Sequence, residues 1–308
     1  MEFNHISVLL EESVDALNIK PEGVYVDCTA GGGGHSAAIL SHLNENGKMY
    51  LFDRDPDAIS VLTERFKDDE RVTIIHDNYS NIKVALDSLG VYSVDGIVAD
   101  LGVSSFQLDT AERGFLFHND ALLDMRMSKT GKSAKDVVNT YSENELFHVI
   151  TEYGEEKFAK KIASNIVKAR EKKEIETTFE LSDIISMSIP AKFKRDGHPA
   201  RKTFQAIRIE VNNELDGLKA VLPDMFNLLN ENGVLAIITF HSLEDKIVKD
   251  YFNTLKQGCT CPKDFPVCVC GKTPKAVVKT GGVKAGQKEL DNNKRSRSAK
   301  LRTALRLK

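Results

Sequence analysis

At 308 residues, 41% hydrophobic and 28% charged, the chain is long enough for one large domain or two smaller ones and is not disordered by composition. It contains no apolar run of about 18 residues, and it begins MEFNHISVLLEES, without the basic start and long apolar stretch of a secretory signal, so a cytoplasmic protein with no membrane span is expected. The net charge of −3 hides an uneven distribution. Basic residues crowd Lys272 to Lys308 against only Glu289 and Asp291, and Lys192, Lys194, Arg195, Arg201 and Lys202 form a second cluster; both are either solvated faces or a surface for a polyanion.

The first hundred residues alternate short β-type runs with helical patterns. GVYVDCTA (23–30), GKMYLFDRD (47–55), RVTIIHDNY (71–79) and VDGIVADLG (94–102) are apolar and rich in Val, Ile and aromatics, whereas HSAAILSHLNEN and PDAISVLTERFKD space their apolar residues as helices do. Nearly continuous apolar strands separated by helices predict a parallel sheet covered on both faces, the doubly wound nucleotide-binding arrangement. After Ser105 the pattern turns helical. Ser142 and Glu145 make a capping box before LFHVITEYG, EEKFAKKIASNIVKAREKK carries a helical stripe, and TFELSDIISMSI is stopped by Pro190. The α/β rhythm then resumes: LKAVLPDMFNLLNENG reads as a helix stopped at Gly233, GVLAIITFHSLED as a buried strand, and KRSRSAKLRTALRLK as a closing strand. The expected organisation is a discontinuous sheet domain, 1–105 and 212–308, with a helical domain inserted over 106–211.

VDCTAGGGGHS, residues 26–36, places four glycines between a strand and a helix. Gly32, Gly34 and Ala37 fit G-x-G-x-x-A, a weak match within such a run, and no Gly-Lys-Ser/Thr follows, which excludes a P-loop. Asp53, about 20 residues on at the end of the second strand, is placed to accept both hydroxyls of a ribose, the alternative being a turn residue in DRDPD. NAD and S-adenosylmethionine share that ribose. Asp77, Asn78 and Tyr79 end the third strand beside the expected adenine position, and Asp100 ends the fourth. A carboxylate at that tip suits methyl transfer to an amino group: an exocyclic amine has its lone pair delocalised into the ring, and an acceptor holding its N–H favours the pyramidal transition state. A strand-end cap is the plainer reading of Asp100.

The blocks HISVLLEESV, VDCTAGGGGHS, DRDPDAI, DLGVSSFQLD, ERGFLF, LDMRM, YGEEKFAKKIA, HPARKTFQAIRIEVNNEL, TFHSLEDKIVK and RSRSAKLR, in that order, closely resemble the ribosomal RNA small subunit methyltransferase H family. The resemblance runs from His5 to the C-terminus. It implies transfer of a methyl group from S-adenosylmethionine, leaving S-adenosylhomocysteine, to the N4 amine of one cytidine in 16S rRNA, either as naked rRNA or within the small ribosomal subunit. It also implies a class I methyltransferase α/β sheet with an inserted helical domain. Carried over, the family's cofactor contacts fall on Gly33, Gly34, His35, Asp53, Tyr79, Asp100 and Gln107, with Asp100 also catalytic and no metal in the chemistry. The glycines then read as clearance for the methionine tail and ribose, with His35 closing the pocket. Phe106 departs from the family's usual proline, which suggests a looser loop or a base-stacking aromatic; Phe115 and Phe117 are further candidates for stacking, or core residues.

TFHSLED sets His241, Ser242, Glu244 and Asp245 close together, but neighbours in sequence do not make a triad and no G-x-S-x-G elbow exists. His241 is expected near the pocket mouth, as a substrate contact or as a satisfied polar residue. CTCPKDFPVCVCG supplies Cys259, Cys261, Cys268 and Cys270, either to zinc or as reduced thiols, while Cys28 reads as a small buried apolar residue. The basic clusters are candidates for gripping rRNA phosphates, with the target cytosine taken into the pocket. Monomer and dimer both remain open.

Overall fold

A computed structural model of the chain describes residues 7–194, 197–259, 261, 267 and 269–308. His5, Arg195, Asp196 and Cys268 lie outside them. The chain divides into two compact units, Met1–Gly102 with Leu215–Lys308, and Val103–Glu214. The breaks thus fall three residues before and three after the ends expected from composition.

The first unit is a seven-stranded sheet of order β3-β2-β1-β4-β5-β7-β6. Its strands are β1 (Val24–Asp27), β2 (Lys48–Asp53), β3 (Val72–His76), β4 (Val94–Asp100), β5 (Leu229–Thr239), β6 (Ala276–Val278) and β7 (Lys300–Arg306). The first five run parallel, and β7 inserts antiparallel between β5 and β6. Each early strand stops before its apolar run does: beyond β2 the Asp55 side chain accepts the Asp57 N–H and starts a helix, and beyond β1 the Thr29 hydroxyl accepts the Asp100 N–H of β4. Alternate residues cover the two faces. Val26, Ile97, Ala99, Leu235 and Ile237 pack with Cys28 and Phe252 on one, and Tyr25, Met49, Leu51, Val98, Ala236 and Ile238 on the other. Cys28 is buried there, and burial pushes its thiol well above the usual range.

One expectation fails. The helix Glu214–Asn227 ends well before Gly233, and β5 already begins at Leu229. Gly233 serves a bulge instead: pairing jumps from Val94 opposite Leu229 to Gly96 opposite Val234. A Cβ on Gly233 would lie 2.9 Å from the Asn230 carbonyl and 3.1 Å from that of Asp95.

The second unit holds the helices Ser105–Asp109, Ala134–Thr140, Glu143–Gly154, Ala159–Arg170, Thr178–Ser188 and Arg201–Asn212 around their own core of residues such as Met125, Ile150, Ile162, Leu181 and Phe204. Four of them start with capping boxes, Ser104/Gln107, Ser133/Asp136, Ser142/Glu145 and Thr177/Glu180. Phe106 sits in the first turn of the Ser105–Asp109 helix, where both capping bonds are made, so that turn does not need proline to be fixed. Phe115 is a core residue; Phe117 stacks on His198 at 4.3 Å and meets the edge of Phe204 at 5.6 Å.

Candidate active site

Where the strand order reverses, between β1 and β4, the carboxyl ends of parallel strands leave a crevice. Three aspartates end the strands there. Asp27 pairs with Leu51 on one side and Val98 on the other, so Asp53 and Asp100 stand two residues further along β2 and β4. A two-residue step keeps a side chain on the same face, so all three acids share one face of the sheet.

Asp27, which the sequence motifs did not single out, is the most buried of the three strand-end acids by surface exposure. It accepts from Ser36 Oγ at 2.7 Å and from the Thr29 N–H at 3.1 Å. Burial outweighs these bonds and pushes its carboxyl up to about 6. Asp53 accepts from the Gly31 N–H and the Asp55 N–H, both at 2.8 Å, and burial raises it to about 6 as well, with Asp55 and Asp27 adding to the shift. Asp100 donates its own N–H to Thr29 Oγ1 at 2.6 Å, and its Oδ1 is buried with no hydrogen-bond partner among the described residues. Burial raises it well above the carboxylate range, and the charges acting on it, Asp27, Glu244 and Glu289, are all acidic. Glu244 in turn accepts the Phe240 N–H at 2.9 Å, and Glu289 the Leu9 N–H at 2.9 Å. A crevice of this sign favours a cation and resists a diphosphate.

Between about pH 4 and 6 the folded protein keeps a proton on Asp27 that the unfolded chain releases. Its stabilisation is full below pH 4 and is lost as pH rises through 6, by about 3 kcal/mol. Asp27→Asn keeps an oxygen acceptor and lets Ser36 reverse its hydroxyl. Urea unfolding at pH 4 and pH 7 is therefore expected to show a pH dependence about 3 kcal/mol smaller in the variant; an unchanged difference would remove Asp27 as its source.

The glycine loop is held mostly by the protein itself. Gly31 and Gly33 adopt φ of 52° and 77°, which favours glycine at both. A Cβ on Gly33 would meet the Phe66 ring at 2.7 Å, and one on Gly34 would meet Ser7 Oγ closer than any real contact. Clearance at Gly33 and Gly34 is thus taken by Phe66 and by the N-terminal segment, and the expectation that all these glycines make room for a ligand is corrected. The open positions are Gly32, with nothing within 4 Å, and Gly31. His35 is buried, and its Nε2 donates to the Val8 carbonyl at 3.0 Å; burial lowers it to about 4, so it is a neutral strut for the same segment. Tyr79 opens a short helical turn beyond β3, capped by Asn78 and half-buried against the sheet core. Gln107 belongs to the second unit, where its side-chain oxygen accepts the Ser104 N–H at 3.0 Å.

His241 is the N-cap of the helix Ser242–Lys256, its side chain accepting from the Glu244 N–H. Asp245 takes a bidentate grip from Arg302 at 2.6 and 2.9 Å, and Lys300 at 2.9 Å. Burial opposes its charge, but Arg302 and Lys300 overcome that and hold the carboxyl at about 2. Arg306 donates to the carbonyls of Asn227 and Leu229. Lys300, Arg302 and Arg306 are therefore structural, and the C-terminal basic run offers fewer groups to phosphates than its composition suggests.

No described helix is long and apolar enough to cross a membrane. The MraW methylase family model matches residues 2–307. Ribosomal RNA small subunit methyltransferase H of Clostridium botulinum is 55% identical over 309 residues, covering 100% of both chains. The protein of that name from Lachnospira eligens is 55% identical over 311 residues, covering 100% of this chain and 99% of its own.

Proposed function

The chain belongs to the MraW methylase family, and on that premise we propose that the acid-lined crevice takes S-adenosylmethionine and that Asp100 receives the amine to be methylated. The reaction is methyl transfer to the exocyclic N4 amine of a cytidine in 16S ribosomal RNA. On the same reading the substrate is the rRNA within the small ribosomal subunit and the enzyme is cytoplasmic.

The observation that carries the assignment is Asp100 Oδ1: buried, without a hydrogen-bond partner among the described residues, and surrounded by acids at the switch point. An orphaned acceptor of this kind is costly unless a ligand donor meets it. When bound, S-adenosylmethionine supplies an electrophilic methyl on a sulfonium cation, and the donor set fits a cation. Asp53 accepts the ribose hydroxyls, Tyr79 lies beside the base, and the loop from Gly31 through Gly33 and Gly34 to His35 presents backbone to the tail. Asp100 accepts an N–H of the cytosine amine, directs its lone pair toward the methyl and stabilises positive charge growing on nitrogen; solvent then takes the proton. Exposed Lys192 and Arg201 on the second unit are suited to phosphate contact.

Small subunits from cells lacking the gene, incubated with tritiated S-adenosylmethionine and the purified protein, are expected to yield label in N4-methylcytidine on nucleoside mass spectrometry. Label elsewhere, or none, would overturn the substrate. Asp53→Ala removes a charged acceptor for two hydroxyls, so calorimetry is expected to show S-adenosylhomocysteine binding weakened about 100-fold. Binding within threefold of wild type would take Asp53 out of the ribose site.

A further inference from the structure

We propose that Cys259, Cys261 and Cys270 bind a structural zinc ion that fastens the excursion between the helix Ser242–Lys256 and β6. The three Sγ atoms all lie within 4.8 Å of one another. Cys270 Sγ is 3.7 Å from Cys259 Sγ, and no disulfide joins the described cysteines. Two thiolates on one tetrahedral zinc at about 2.3 Å stand about 3.8 Å apart, far beyond the ~2.05 Å of a disulfide.

The backbone positions these sulfurs as well. The Cys261 N–H donates to Cys259 Sγ at 3.4 Å, and the Val269 N–H donates to Cys261 Sγ at 3.4 Å. Such N–H···S bonds fix where the two acceptor sulfurs lie. The first of them also shows how a C-x-C pair, tighter than the commoner C-x-x-C, brings both sulfurs to one side of a turn. The cluster is partly exposed, so a metal ion could reach it from solvent. A fourth donor, water or another thiolate, completes the tetrahedron.

The position gives the ion something to do. The excursion leaves the helix Ser242–Lys256 at its end and returns where the Lys275 N–H donates to the Leu255 carbonyl at 2.8 Å. Between those ends, the described residues 257–259, 261, 267 and 269–274 form no helix or strand, so a metal cross-link would supply what a core does not.

Full-length protein, purified under reducing conditions and freed of loose metal, is expected to carry one zinc per chain by elemental analysis. Cys259→Ser and Cys270→Ser should each lower that at least tenfold while circular dichroism confirms the fold. Cobalt reconstitution of the wild type should give thiolate-to-cobalt charge transfer in the near ultraviolet and tetrahedral bands in the visible, all lost in Cys261→Ser. Retention of full zinc in the serine variants would overturn the proposal. So would a wild type that takes up neither metal, whether its thiols stay reduced or pair as a Cys259–Cys270 disulfide.

Discussion

Asp100→Asn is expected to lower kcat on small ribosomal subunits by about 10²–10³-fold, the range found when one preorganised polar group at a developing charge is removed. The change is isosteric, so the crevice keeps its shape, and Thr29 still receives the main-chain N–H of residue 100. What disappears is negative charge beside a nitrogen becoming positive. The loss should fall mainly in kcat, with S-adenosylhomocysteine affinity changing less than tenfold. A second readout separates chemistry from folding. Because burial and the acids Asp27, Glu244 and Glu289 raise Asp100 well above its ordinary range, kcat/KM of the wild type should climb with pH as the free enzyme's Asp100 ionises. The variant should lack that limb. A variant with more than a tenth of wild-type kcat and the same pH profile would leave Asp100 as a strand-end residue only.

Asp53 and Asp100 were legible in the sequence because local pattern is enough to place them: each is the last residue of an apolar run, and parallel strands end at one edge. The same locality explains the four early strands and the Ser142/Glu145 capping box. Asp27 was passed over although it lies inside the glycine motif, since its importance comes from register: only pairing with β2 and β4 puts it between the other two acids. The glycines show the converse. Their number suggested space for a ligand, yet the space at Gly34 is filled by Ser7, a contact no spacing rule encodes. Gly233 looked like a helix stop because a bulge and a C-cap ask for the same residue. Within the helical unit, ERGFLF and LDMRM are tied together by Arg113, whose guanidinium donates to the carbonyls of Arg126 and Met127 at 2.9 Å each. Blocks that resemble a family's signature can therefore be scaffolding as readily as chemistry.

TFHSLEDKIVK and RSRSAKLR make that point in energetic terms. Asp245→Ala is expected to destabilise the protein by about 3–5 kcal/mol, because it strands a buried guanidinium. Arg302 is 8% exposed at its side chain, and Asp245 meets it twice, with Lys300 alongside. The pair ties the helix after β5 to β7, the strand that completes the sheet. Arg302→Met in the Asp245→Ala background removes the stranded charge, so the double variant should recover most of the loss, as buried ion pairs exchanged for apolar side chains often do. Urea unfolding of the four proteins closes the cycle; equal losses in the single and double variants would mean that Arg302 finds water and the pair is not buried in effect. The pH dependence has the opposite sign to that of Asp27 and Asp53. Asp245 is held at about 2, so its stabilisation is complete above pH 4 and is lost as pH falls toward 2. Asp27 and Asp53, raised to about 6, lose theirs as pH climbs from 4 through 6. With only these three groups titrating, stability without ligand peaks near pH 4, and the acid crevice destabilises the protein at neutral pH. A bound cation should relieve that strain, so binding should tighten as pH rises through 6, and the groups that weaken the empty fold are those that select its ligand.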